Sequence, residues 1–234
     1  MKTKKILALL ISGVFATTMA SQGAVITMPS GLSAGDQYRL VFVTSTTTTA
    51  TSTDINTYNT FVNNLAITAG LNTIAGTVEG STTWTAIGST SSVDAIDNTS
   101  TTGAGTGIGI YLLNDTTIAT SYTDLWDGSI ANLLNVDELG DGTSYGNNVV
   151  WTGSTSAGVA EGSVTLGNSG ASSVNMGKTN LSNGSWIDRN IPFDGADSYH
   201  LYAMSGVLTV VPEPSSTSLL GLGGLALALR RSRS

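Results

Sequence analysis

From residue 74 onward the chain never sustains an apolar pattern for long. The apolar residues come in short pieces, WTAIGST (84–90), IYLL (110–113), NVVWTGS (148–154) and YHLYAMSGVLTVV (199–211), divided by Gly, Asn, Ser and Thr. Pieces of this length bounded by turn formers read as strands, because a helix needs its 3.6-residue repeat carried over several turns. The stretch 36-DQYRLVFVTS-45, following Gly35, reads as a further, early strand, and a threonine-rich loop follows from Thr44 to Thr53. One segment departs from this pattern. Ile55, Tyr58, Phe61, Val62, Leu65 and Ala69 recur at helical spacing. Thr53 or Asp54 can cap its start, and Gly70 stands where a helix stop belongs. The expected fold is a single mixed α+β domain over residues 24–210, with mostly short antiparallel strands, one clear early helix, and the first and last strands near each other.

Nothing covalent holds such a domain together. The 234 residues include no cysteine, so disulfides and thiolate sites are excluded. Hydrophobic residues make up 40 %, enough for a sizeable core, while charged residues are only 11 % against a usual value of about 25 %. Hydroxyls and amides must therefore carry much of the solubility. The few charges are also unevenly placed. Lys2, Lys4 and Lys5 lie at one end, and Arg230, Arg231 and Arg233 at the other. Between residues 24 and 211 only Arg39, Lys178 and Arg189 face fifteen acids, a formal −12 where the whole chain carries −7. A field of that sign repels phosphate backbones and argues against a nucleic-acid partner.

The two ends read as addresses. Residues 1–23 place three lysines before the apolar run Ile6 to Phe15 and small residues after it, the tripartite layout of a secretory signal peptide. As a helix that run reaches roughly 15 Å, half of a bilayer core of about 30 Å. Cleavage is expected between Ala20 and Ala24. Residues 211–234 read VPEPSSTSLLGLGGLALALRRSRS. Pro212 and Pro214 lack an N–H and delay any helix to about Ser215. A hydrophobic helix from Ser215 to Leu229 would span roughly 22 Å and could insert by thinning the membrane. Leu219, Leu220, Leu222, Leu225, Leu227 and Leu229 favour insertion, and Arg230, Arg231 and Arg233 would stay on the cytoplasmic side.

Val211-Pro212-Glu213-Pro214, the apolar helix and the terminal arginines together resemble the PEP-CTERM sorting signal of bacterial surface proteins. The resemblance implies recognition by exosortase, a membrane cysteine transpeptidase that cuts at the Pro-Glu-Pro and passes its substrate to the cell surface or extracellular matrix. The chain would then be substrate, not catalyst, transiently anchored in the membrane by its tail. Residues before proline avoid the helical region, which suits an extended cleavage groove.

The exported part resembles a second family. WTAIGSTSSVDAIDNT, IYLLNDTTIATSYTDLWDGSI, VDELGD, VVWTGSTSAG and Ser185-Trp186-Ile187-Asp188 follow one another as in endostatin-like members of the C-type lectin-like fold. The resemblance covers residues 36–210 and implies that architecture. The disulfides usual in that fold are absent, and so are its Trp-Asn-Asp and Glu-Pro-Asn calcium–sugar motifs. Trp84, Trp126, Trp151 and Trp186 read as core anchors beside apolar neighbours and glycine turns.

No catalytic, cofactor or metal set is assigned. His200, the sole histidine, sits between Tyr199 and Leu201 in a strand and reads as structural. The nucleophile elbow G-x-S-x-G is missing, and one histidine without cysteine rules out the usual zinc sets. Gly177-Lys178-Thr179 reads as a turn rather than a phosphate loop, and 103-GAGTGIG-109 as a flexible loop with the wrong spacing for dinucleotides. Asp137, Glu138 and Asp141, or Asp188, Asp194 and Asp197, could offer oxygens to calcium, yet neither stretch has the alternate-position pattern of an EF-hand, so both read as solvated turn acids. The expectation is an exported surface or matrix protein with a non-catalytic binding or structural domain and extracellular polysaccharide as a partner. The alternatives are a secreted polysaccharide hydrolase with paired carboxylates and a calcium-dependent glycan-binding module.

Overall fold

The computed structural model describes residues 24–142, 149–168, 170 and 173–211. The expected signal peptide and the expected C-terminal hydrophobic helix fall on residues 1–23 and 212–234, outside the described residues. Nine strands form the sheet: β1 Gln37–Val43, β2 Thr48–Thr49, β3 Trp84–Ala86, β4 Ile108–Leu112, β5 Thr117–Ala119, β6 Val149–Trp151, β7 Met176–Lys178, β8 Ser198–Ser205 and β9 Leu208–Thr209. Helix α1 spans Ile55–Thr68, the short helices α2 and α3 span Ala95–Asn98 and Tyr122–Leu125, and one 3-10 turn covers Gly184–Trp186. The mixed, sheet-rich architecture is that of an α+β domain.

The early helix forms where its periodicity places it. Asp54 is the N-cap, and its carboxylate accepts the Asn56 N–H at 3.0 Å. Ile55, Tyr58, Val62 and Ala66 face the core. At the far end Gly70 takes φ +78°, Gly70 N–H donates to Ile67 O and Leu71 N–H to Ala66 O. This paired 5→2 and 6→1 arrangement needs a left-handed residue, which glycine supplies without strain.

The path of the sheet is β5-β4-β1-β8-β6-β7. Strand β8 organises it, pairing with β1, β2 and β3 in antiparallel fashion and with β6 in parallel. First and last strands are neighbours, as expected, since β1 also pairs with β9. The strands pair mostly in antiparallel fashion, as expected, with β1–β4 and β6–β8 as parallel pairs reached by long crossovers. One expectation needs correction: the continuous apolar run 199–211 is two strands. Along β1 the register slips by one residue between the β8 and β9 pairings, an insertion of one residue at Ser205–Val207.

Two loops were also misplaced by sequence. Gly177 and Lys178 lie in β7, not in a turn, and Ile108 and Gly109 open β4. Gly177 is there for space: a Cβ built on it would sit 1.9 Å from Trp186 O, so only glycine lets the strand pass that carbonyl. A two-residue strand, β2, interrupts the threonine-rich loop.

Strand β3 pairs with β8 on one side, and side chains close the other. Asn63 Oδ1 accepts the Trp84 N–H at 3.0 Å, and Asn59 Oδ1 accepts the Ala86 N–H at 2.9 Å. Asn98 Nδ2 donates to Ala86 O at 2.8 Å, and the Asn59 and Asn98 amides bond each other reciprocally at 2.9 Å. Asparagines on α1 and α2 thus do for this edge what another strand would otherwise do.

The core holds one buried base. Arg39 donates to Thr99 O at 2.6 Å, Ser205 O at 3.1 Å, Ser100 O at 3.2 Å and the Tyr122 hydroxyl at 2.8 Å. Its guanidinium stacks 5.1 Å from the centre of the Tyr122 ring. Among the described residues no carboxylate pairs with it. Carbonyl dipoles balance the charge, and the fork clamps the 99–100 loop onto the irregularity that follows β8.

Candidate functional site

The sorting segment joins the domain at a defined place. Val210 donates its N–H to Asp36 O at 3.0 Å and accepts from Gly35 N–H at 2.9 Å. Val211 donates to Gly76 O at 3.0 Å and is 39 % exposed. The first residue of Val-Pro-Glu-Pro is thus bonded to the folded domain. Pro212, Glu213, Pro214, the six leucines from Leu219 to Leu229, and Arg230, Arg231 and Arg233 lie outside the described residues. At the other end Ile26 donates to Leu113 O at 2.7 Å and Tyr38 Oη donates to Thr27 O at 2.7 Å. The Met28 methyl covers Gly76, where an added Cβ would lie 2.2 Å from it. The segments next to the expected signal peptide and to the sorting motif thus meet on the same loop, around Gly76. No helix among the described residues is long and apolar enough to cross a membrane.

The acids do not sort as the sequence suggests. Asp137 and Glu138 are 3 % exposed and are not solvated turn acids. Asp137 Oδ1 accepts the N–H groups of Leu139 and Asp141 at 2.9 and 3.0 Å. Glu138 accepts the Ser45 N–H at 2.8 Å and also bonds the Ser45 hydroxyl. Their oxygens serve to dock the 136–142 loop against the end of β1, where Val43 N–H donates to Val136 O. The spacing in NVDELGD carries no signal of that burial.

Asp188 parts from Asp194 and Asp197. Asp194 Oδ1 accepts the Ala196 N–H at 3.0 Å and ends a turn whose Asp197 N–H donates to Asp194 O at 2.9 Å. Asp188 instead meets Glu161, 27 positions earlier in the chain and not singled out by sequence. Both carboxylates contact Asn175 Nδ2, that of Asp188 at 3.1 Å. Burial and the neighbouring Asp188 charge push the Glu161 carboxyl above its ordinary value, opposed by the Asn175 amide. A substrate placed between these two acids would have to displace Asn175. Among the described residues no three His, Asp or Glu side chains group together to hold a metal.

His200 lies in β8, with Nδ1 2.6 Å from Thr44 O. Burial pushes its pKa below the ordinary value, against the pull of the Thr44 and Thr46 carbonyls and of Glu138. The neutral ring is thus favoured, in keeping with a structural part at the junction of β1 and β8.

Three of the four tryptophans are core anchors: Trp84, Trp151 and Trp186 are buried. Trp84 Nε1 donates to Leu71 O and Trp151 Nε1 to Thr48 O. Trp126 is only partly buried, with Nε1 on the Thr101 hydroxyl at 2.9 Å and its ring 6.1 Å from that of Trp186.

Residues 210–233 match the PEP-CTERM protein-sorting motif. The match begins at Val210, the residue hydrogen-bonded into the fold, and takes in the whole Pro-Glu-Pro, leucine and arginine series. It supports an exported, envelope- or surface-associated protein processed by exosortase. No curated protein matches the chain.

Proposed function

Starting from a chain that carries a PEP-CTERM sorting motif, we propose that its domain is delivered outside the cell, freed from the membrane by exosortase cleavage at Pro212–Pro214, and there binds or builds without catalysing. The observation that carries this is the sorting motif itself, residues 210–233, whose first residues Val210 and Val211 bond to Asp36 and Gly76 on the folded domain. The −12 charge and the hydroxyl- and amide-rich composition support an extracellular life in contact with hydrated polymers, and polysaccharide is the partner class this reading favours.

The non-catalytic reading is supported by where the candidate groups are spent. His200 faces a backbone carbonyl, and Asp137 and Glu138 hold a loop. The likeness to endostatin-type lectin-like domains is part of the same reading. An early helix, a tryptophan-bearing β3 and the late strands β8 and β9 beside β1 speak for it.

Deleting Pro212–Pro214 in the producing cell tests the sorting claim. The expected result is retention in the membrane fraction, with the unaltered protein found outside. Intact mass of the released protein should give a chain ending near residue 212; a released chain still ending at Ser234 refutes the proposal.

A further inference from the structure

Asn175 is completely buried, just before β7, and its side chain is wired in an unusual way. Its Nδ2 faces three acceptors, Ser154 O at 3.1 Å, Asp188 Oδ1 at 3.1 Å and a Glu161 carboxylate oxygen, yet an amide nitrogen has two protons to give. Its Oδ1 is buried and has no donor among the described residues. One end of the amide is oversubscribed by two anions and a carbonyl, and the other is orphaned. Buried orphans are rare in folded proteins and call for an explanation.

Backbone bonds hold each of the contributing groups in place. Glu161 N–H donates to Gly153 O at 3.2 Å, fixing the 154–161 hairpin. Asp188 N–H donates to Gly184 O at 2.9 Å after the 3-10 turn, and Asn175 N–H donates to Val164 O at 2.7 Å. Three distant stretches thus converge on one point through fixed main chain. Among the described residues no Lys or Arg pairs with Glu161 or Asp188.

We propose that the Glu161 and Asp188 carboxylates, the Ser154 carbonyl and the Asn175 amide oxygen form a calcium-binding site. Amide nitrogen and oxygen exchange places by a half-turn about the last side-chain bond, and their assignment follows the surrounding network. With a cation present, Oδ1 turns toward the carboxylates and takes the place of Nδ2. Ser154 O and Asp188 Oδ1 each lie 3.1 Å from the position Oδ1 would take, within the about 2.8–3.4 Å that separates neighbouring ligands on a seven-coordinate calcium, and the partly exposed Glu161 side chain draws back slightly to join them. Four protein groups, with one carboxylate bidentate and waters completing the shell, reach the usual six to eight oxygens. The repulsion between Glu161 and Asp188 is relieved at the same time. Two carboxylates give modest affinity, in the range of about 0.1–1 mM that serves extracellular modules.

The test is calorimetric titration of the purified full-length chain with calcium chloride, alongside thermal melting with and without the ion. One calcium per chain is expected, with a melting temperature about 3–5 °C higher at ten times the dissociation constant. Glu161→Gln, nearly isosteric and at a partly exposed position, should weaken binding at least tenfold while the chain stays folded. Asn175→Asp separates the proposal from a purely structural amide. It adds an oxygen to the shell, so it should lower the melting temperature without calcium and strengthen calcium binding several-fold. No saturable binding to 10 mM by a folded protein overturns the proposal. So does binding that Glu161→Gln leaves unchanged, or an Asn175→Asp protein that calcium does not rescue.

Discussion

Replacing Arg39 by methionine probes the part of the fold least expected from sequence, a buried cation with no anionic partner among the described residues. The substitution keeps most of the side-chain volume and removes every donor. Thr99 O, Ser205 O and the Tyr122 hydroxyl then lose a partner in a buried setting, and Ser100 O loses one nearer the surface. Each buried acceptor left unpaired costs about 1–3 kcal/mol. Removing the charge returns part of its own desolvation penalty, several kcal/mol for a buried ion. The difference leaves a net loss of about 3 kcal/mol. In a domain of this size that lowers the melting temperature by about 6–12 °C. Circular dichroism melts of the full-length chain measure it, with Arg39→Lys as comparison. Lysine keeps the charge but lacks the planar fork that reaches two carbonyls, so it should restore less than half of the loss. Because the partners are neutral dipoles inside the protein, half-molar salt should leave the deficit unchanged. A drop smaller than 2 °C, or one that salt abolishes, would refute the view that this clamp holds the 99–100 loop.

Gly177→Ala should prevent a stable fold, since the new Cβ lands 1.9 Å from Trp186 O, whereas Gly142→Ala, with nothing within 4 Å, should be neutral; soluble yield and melting temperature compare them. Asn59→Ala removes the acceptor of the Ala86 N–H and the partner of Asn98, at about 1–3 kcal/mol by denaturant titration. His200 has a folded pKa below its ordinary value, so the unfolded chain binds the extra proton first. Its contribution to stability is intact above about pH 6.5 and is lost as pH falls through that value toward the lowered one. Melting curves from pH 7.5 to 5 should therefore be flatter in this window for His200→Gln, and an unchanged slope would remove the argument. Glu161 behaves oppositely for a carboxylate: its raised folded pKa costs stability as pH rises through its ordinary range, and Glu161→Gln should remove that fall.

Legibility followed the range of the interactions. Helix α1 was readable to within a residue because its cap, apolar stripe and stop lie within 17 positions of each other, Asp54 to Gly70. The centres of β1, β3, β4, β6 and β8 were readable because a short apolar piece between turn formers has few other uses. Gly177 misled, because glycine in a strand looks like a turn until the carbonyl it must pass is known. Asp137 and Glu138 misled in the other direction: acids in a Gly-Asp segment look solvated, and only Ser45, 93 positions before Glu138, pulls that carboxylate inside. Glu161 left no trace, since nothing local joins it to Asp188.

What the linear chain carried by itself was the sorting motif that supports an exported, envelope- or surface-associated protein. Export signals are read by machinery that meets an extended or helical segment, so order, charge and apolar length along a few dozen residues suffice, and the match at residues 210–233 needs no fold. What the folded domain alone decided was which polar groups are spent on structure and which remain. A carboxylate, an amide or a guanidinium has the same pattern in sequence whether water or a distant carbonyl will satisfy it. Only the crossing of β1, β8 and the loops between them brings Arg39 to Ser205, Glu138 to Ser45, and Glu161 and Asp188 to one buried asparagine. Burial then makes each pairing obligatory, because an unmatched charge or amide away from water costs more than a surface contact ever returns.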